Sequence, residues 1–147
     1  MTNKEMINKL KDMAELAIVA YGYFHLANPK YDFNQDNTDK KRLEHFRELK
    51  AKELGGDLDE NTYPTPTDIL NIEYKYFKDE NGKPQDSWYH KHFLGGDMSP
   101  TQVKNFLKKY DILIHQPNTH SGFSATLFYD KEKDRFVAGF RGTECRF

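Results

Sequence analysis

The residues with the clearest chemical potential lie near the end of the chain, where Arg141-Gly142-Thr143-Glu144 follows the apolar run Phe136-Val137-Ala138-Gly139-Phe140. A glycine and then a hydroxyl residue, placed where a chain leaves a buried strand, allow backbone N–H groups to point into a cleft and hold a developing oxyanion. A second candidate is Trp88-Tyr89-His90-Lys91-His92-Phe93. In an extended chain His90 and His92 project to one face, a workable pair of metal ligands. No cysteine, carboxylate or third histidine is fixed beside them by sequence, so the run reads as aromatic packing before it reads as a metal site. Asp32, Asn34 and Asp36 have the spacing of a calcium loop but lack its glycine and its later glutamate, and read as a solvated loop. Ser124 sits in Gly122-Phe123-Ser124-Ala125-Thr126, one residue short of a Gly-x-Ser-x-Gly elbow. It opens a strand instead of closing one into a helix, so an ordinary strand role is expected. His25, near the end of the first helix, reads as a partner for the helix dipole.

The tail carries a resemblance. Ala125-Thr126-Leu127-Phe128, a charged turn, and Val137-Ala138-Gly139-Phe140-Arg141-Gly142-Thr143-Glu144 resemble the strand-turn-strand that precedes the oxyanion hole in class 3 lipases and related bacterial phospholipase A1-like enzymes, which are α/β-hydrolases. The resemblance covers 122–147 well and the helical part only loosely. It implies a serine ester hydrolase acting on a lipid or other acyl ester, with no cofactor, in which the backbone N–H of Thr143 stabilises the tetrahedral intermediate. In that family the nucleophile, its acid and its histidine lie downstream of this turn, so His115 and His120, upstream of it, are not the expected base. No Gly-x-Ser-x-Gly occurs in the chain. The expectation is therefore an N-terminal portion of such an enzyme, truncated before the nucleophile elbow and inactive alone.

The elements that would position these groups can be read from periodicity. Thr2 with Glu5 forms a capping box, and the rows Ile7, Leu10, Ala14, Ala17, Tyr21 and Met6, Leu10, Met13, Ala17, Ala20, Phe24 predict an amphipathic helix with a broad buried face. Thr38 or Asp39 caps a charged second helix to about Leu54, with Leu43, Phe46 and Leu49 as a thin seam and Gly55-Gly56 as the stop. Its mixed charges read as a solvated face, with a lid-like element as a lesser reading. A loop over 57–66 follows, with Pro64 and Pro66 excluding a helix. Thr67-Asp68 then caps a short helix carrying Ile69, Ile72 and Tyr76, preferred over a strand at 72–77. Asp79 to Pro84 reads as a turn. Ser99-Pro100-Thr101-Gln102 starts a helix with Val103, Phe106, Leu107 and Tyr110 inward. A short strand at 111–115 leads to a hairpin whose first strand puts Phe123, Ala125, Leu127 and Tyr129 on one face and Ser124, Thr126 and Phe128 on the other. The turn Asp130 to Asp134 has no apolar residue and is expected in water. The second strand is apolar on both faces, so the hairpin is expected to belong to a larger sheet. The expected organisation is one incomplete domain of α/β class: 1–121 mainly helical with one short strand, and 122–147 the hairpin with its oxyanion turn.

Composition narrows the classes. The chain has 147 residues, a formal net charge of -1 and 31% charged residues, and a mean hydropathy of -0.91, polar for a packed domain. Such a balance gives no electrostatic footprint for nucleic acid. A single cysteine rules out an internal disulfide. The N-terminus lacks a secretory signal, and Leu16 to Tyr21 is too short to span a bilayer, so a cytoplasmic location or export by a signal-independent route is expected. Two other readings stay open: a small non-enzymatic protein-binding module, and a metal-dependent hydrolase built on His90 and His92.

Overall fold

The computed structural model describes residues 1–76, 96, 98–117 and 124–141. Among them four α-helices precede a three-stranded antiparallel sheet, a mixed α/β arrangement. The helices are α1 (Asn3–Val19), α2 (Asn37–Leu54), α3 (Pro66–Tyr76) and α4 (Pro100–Lys109), and the strands are β1 (Tyr110–Gln116), β2 (Ser124–Asp130) and β3 (Arg135–Arg141) in spatial order β1-β2-β3. The chain divides into two compact units, one of Met1–Gly22 with Lys104–Phe147 and one of Tyr23–Val103.

In the first unit, α1 begins as its sequence predicts: Glu5 N–H donates to Thr2 Oγ1 at 3.2 Å and Thr2 N–H to Glu5 Oε2 at 2.8 Å. The helix ends at Val19, earlier than the periodicity predicts. Only its last turn is fully covered, through Leu16, Val19 and Ala20, whereas Met6, Ile7, Leu10, Met13 and Tyr21 are exposed. The broad buried face is therefore corrected to a narrow one. On a 3.6-residue repeat the covered row and the centre of the open row lie about a third of a turn apart, and it is the covered row that packs on the strand at Gly139.

The sheet has one covered face. Ser124, Thr126, Phe128 and Asp130 of β2 are buried, while the alternate residues Ala125, Leu127 and Tyr129 are half-buried. Polar residues thus occupy most of the inner positions, and Phe128 supplies the apolar anchor, with Phe106 of α4 edge-on at 6.1 Å between ring centroids. Gly139 lies opposite Thr126 on that face. A β-carbon there would stand 3.0 Å from both Ala20 Cβ and Phe128 Cε2, so the missing side chain lets α1 approach the strand. On the other face Ile114, Leu127 and Ala138 align across the three strands, and Phe136 of β3 is 67% exposed. β3 is apolar on both faces but covered on one.

In the second unit, α2 starts at Asn37 with Asp36 as its cap, two residues ahead of the predicted start. Asp36 Oδ1 accepts from Thr38 N–H at 2.8 Å. It ends at Gly55 in the left-handed region, φ 68, the conformation glycine adopts at least cost. Leu43 and Phe46 are buried, as the seam predicts. α3 is a helix, but its start corrects the sequence reading. Pro66 is the first helical residue, and Thr65 is capped with Asp68 through Thr65 N–H to Asp68 Oδ2 at 2.9 Å and Asp68 N–H to Thr65 Oγ1 at 3.1 Å. Proline suits that position because the first-turn N–H it lacks has no intrahelical acceptor. Ile69, Leu70 and Ile72 are buried, and the carbonyl of Leu70 accepts from Met98 N–H at 2.9 Å. The Ser99–Gln102 box that starts α4 forms as predicted, at 2.9 and 3.2 Å.

Candidate functional site

The β2–β3 hairpin carries the chain up to Arg141, the first residue of Arg141-Gly142-Thr143-Glu144. Register is continuous from Asp130↔Arg135 to Ser124↔Arg141. Asp130 fixes the tight end: its buried carboxylate accepts from Glu132 N–H and Lys133 N–H, both at 3.1 Å, and meets Arg135 Nε at 3.5 Å. Asp130 is thus inside, correcting the expectation that the whole 130–134 turn sits in water. Burial of its carboxylate is tolerated because the turn supplies N–H donors. Asp134 takes φ 47 and its Oδ1 accepts from the Tyr129 hydroxyl, which shifts the Tyr129 pKa up from its usual value. β1 ties in behind, with His115 Nδ1 and Thr126 Oγ1 2.7 Å apart on paired positions.

β3 is described to Arg141. Gly142, Thr143 and Glu144 lie outside the described residues, as do His90, His92, His120 and the segment Trp88 to Phe93. Ser124 is placed: it is buried and its hydroxyl donates to the Gln116 carbonyl at 2.9 Å. A hydroxyl used to tie two strands has no open approach for an ester, and the ordinary strand role is the one it fills.

A constellation that sequence reasoning missed lies in the second unit. Asp39 is buried in the first turn of α2. Its Oδ2 accepts from His25 Nε2 at 2.9 Å and from the Tyr31 hydroxyl at 3.0 Å, and its Oδ1 from Arg42 at 2.9 Å. The Arg42 guanidinium also lies 4.1 Å over the Tyr23 ring, a cation–π contact. His25 is on a 3-10 turn, Phe24–Ala27, and buried; it is not at the end of α1, so the dipole reading is corrected. Burial alone would raise the Asp39 carboxyl, but contact with His25, the Tyr31 hydrogen bond and the Arg42 charge outweigh it and hold the group below its usual range. Burial and then Asp39 itself push the Tyr31 phenol up. Asp39 is four residues before Leu43 and seven before Phe46, on the same helical stripe. A carboxylate in line with an apolar seam must find donors, and that was the available signal.

The acidic loop residues are also in use. Asp32 Oδ1 accepts from Asn34 N–H at 3.1 Å, and Asp36 caps α2. No group of three or more His, Cys, Asp or Glu that could hold a metal occurs among the described residues. No helix among them is long and apolar enough to cross a membrane. No family model, no curated protein and no solved structure matches the chain.

Proposed function

We propose that this chain carries the oxyanion-hole side of a serine ester hydrolase of the class 3 lipase or phospholipase A1-like kind, an α/β-hydrolase acting on a lipid or other acyl ester. The observation that carries the reading is β3, an apolar strand held in unbroken antiparallel register up to Arg141, the first residue of Arg141-Gly142-Thr143-Glu144. Oxyanion donors accelerate acyl transfer only when they are already aimed where charge develops, and a paired strand end is a rigid mount for them. In this reading Thr143 N–H is such a donor. The serine nucleophile, the histidine that deprotonates it and the acid that orients the histidine come from polypeptide beyond these residues. In this reading a larger sheet would continue at the outer edge of β3, and a further layer would cover the open face.

The purified 147-residue chain is expected to leave p-nitrophenyl butyrate at its background rate. Joined in frame to a downstream segment bearing Gly-x-Ser-x-Gly, it is expected to turn the ester over. Thr143→Pro, which deletes the N–H, should then lower kcat by about 10²–10³. Turnover by the chain alone that disappears in Ser124→Ala would overturn the assignment.

The exposed apolar rows of α1 and β3 also favour a second reading, a non-enzymatic protein-binding module. It expects the chain alone to be stably folded and to melt in one cooperative transition.

A further inference from the structure

We propose that the cleft between α1 and the beginning of β3 binds an amphiphilic anion, in its simplest form a long-chain carboxylate. The cleft has a volume of about 340 Å³ and lies wholly within the first unit, a size within the range of small-molecule sites. Met13 and Leu16 from the helix and Phe136, Val137 and Ala138 from the strand line it with apolar surface. Lys9, Lys133 and Arg135 also line it, and Asp12 is its one acidic group.

The charges do not cancel. Asp12 lies 3.5 Å from Lys109 Nζ, and Arg135 is shared with Asp130 at 3.5 Å. Lys9 and Lys133 are in no ion pair among the described residues. Two uncommitted ammonium groups beside an apolar lining match a ligand with a negative head and a hydrocarbon body. Met6 and Leu10, exposed on the same row of α1 as Met13, extend the apolar track beyond the cleft. Tyr110, its pKa pushed up to about 12 by burial and by Asp12, lines the cleft as a neutral phenol. The cleft meets β3 at 135–138, and the strand runs on to Arg141, about 10 Å further at about 3.3 Å per residue.

The test uses the full chain and three probes of equal chain length below their micellar concentrations: laurate, dodecanol and dodecyltrimethylammonium. Titration calorimetry should show saturable laurate binding that weakens with added salt, with both other probes at least about ten-fold weaker. Lys9→Glu with Lys133→Glu, both on exposed side chains, should weaken laurate at least about ten-fold while the circular dichroism spectrum stays that of the parent. Lys52→Glu, in the other unit, should leave laurate binding unchanged. Dodecanol binding as tightly as laurate, or a double variant that binds laurate like the parent, overturns the proposal.

Discussion

At the scale of single residues, Asp39 gathers three side-chain donors onto one carboxylate. One buried carboxylate takes hydrogen bonds from His25, Tyr31 and Arg42, and so joins the 3-10 turn and the loop after it to the first turn of α2. Removing the anion from a buried network leaves its donors without an acceptor, which typically costs about 3–5 kcal/mol. Asp39→Ala is therefore expected to lower the urea midpoint by a corresponding amount, whereas Asp59→Ala, on an exposed loop, should move it by less than about 1 kcal/mol. The pH dependence follows from the sign of the shift. The folded carboxyl titrates below its usual 3.8, so its contribution is fully present above that value and is lost as pH falls through the folded pKa. In urea titrations the parent should lose stability more steeply than Asp39→Asn below about pH 4. This cluster was illegible because it joins groups 14 residues apart across a loop whose path no local period encodes. The stripe of Asp39, Leu43 and Phe46 alone hinted at it.

Elements were legible where short-range chemistry decides them. The capping boxes at Thr2 and Ser99, the glycine stop after Leu54 and the strand periodicity of β2 are local patterns and form as read. The start of α3 departs from the sequence expectation because Pro66, a breaker in a helix interior, is compatible with the first helical position. What periodicity does not encode is which apolar row finds a partner. In α1, Leu16 is buried and Leu10 is 64% exposed, although both belong to apolar positions of one helix. Leu16→Ala should cost about 2–5 kcal/mol by transfer and cavity terms, and Leu10→Gln should stay within about 0.5 kcal/mol. Equal losses in chemical denaturation would mean that Leu10 is covered after all. Gly139→Val should cost about 1–3 kcal/mol, because its side chain would press on Ala20 and Phe128, at 3.0 Å already from the first carbon.

For the whole molecule, the informative quantity is apolar surface left in water. Helix α1 leaves Met6, Ile7, Leu10 and Met13 exposed, and the open sheet face leaves Ile114, Phe136 and Phe140 exposed. Large apolar side chains exposed in rows of this kind mark contact or association. The sequence announced that β3 is apolar on both faces, but not that Phe136 and Phe140 on one of them would stay mostly exposed, because exposure leaves no mark on local period. β3 adds a second hazard: among the described residues no strand pairs with its outer edge, and an unpaired apolar edge templates the addition of further strands. Substitutions that cut exposed apolar area while keeping a β-branched residue in each strand should therefore raise solubility without weakening the fold. Ile114→Thr with Phe136→Thr is expected to reduce the dye fluorescence that reports exposed apolar surface and to slow concentration-dependent light scattering. The melting temperature should move by no more than a few degrees, since both parent side chains are already mostly in water. If instead the double variant melts much lower with scattering unchanged, these side chains are buried in solution by a contact within the protein or with another copy, and the sheet face is not open.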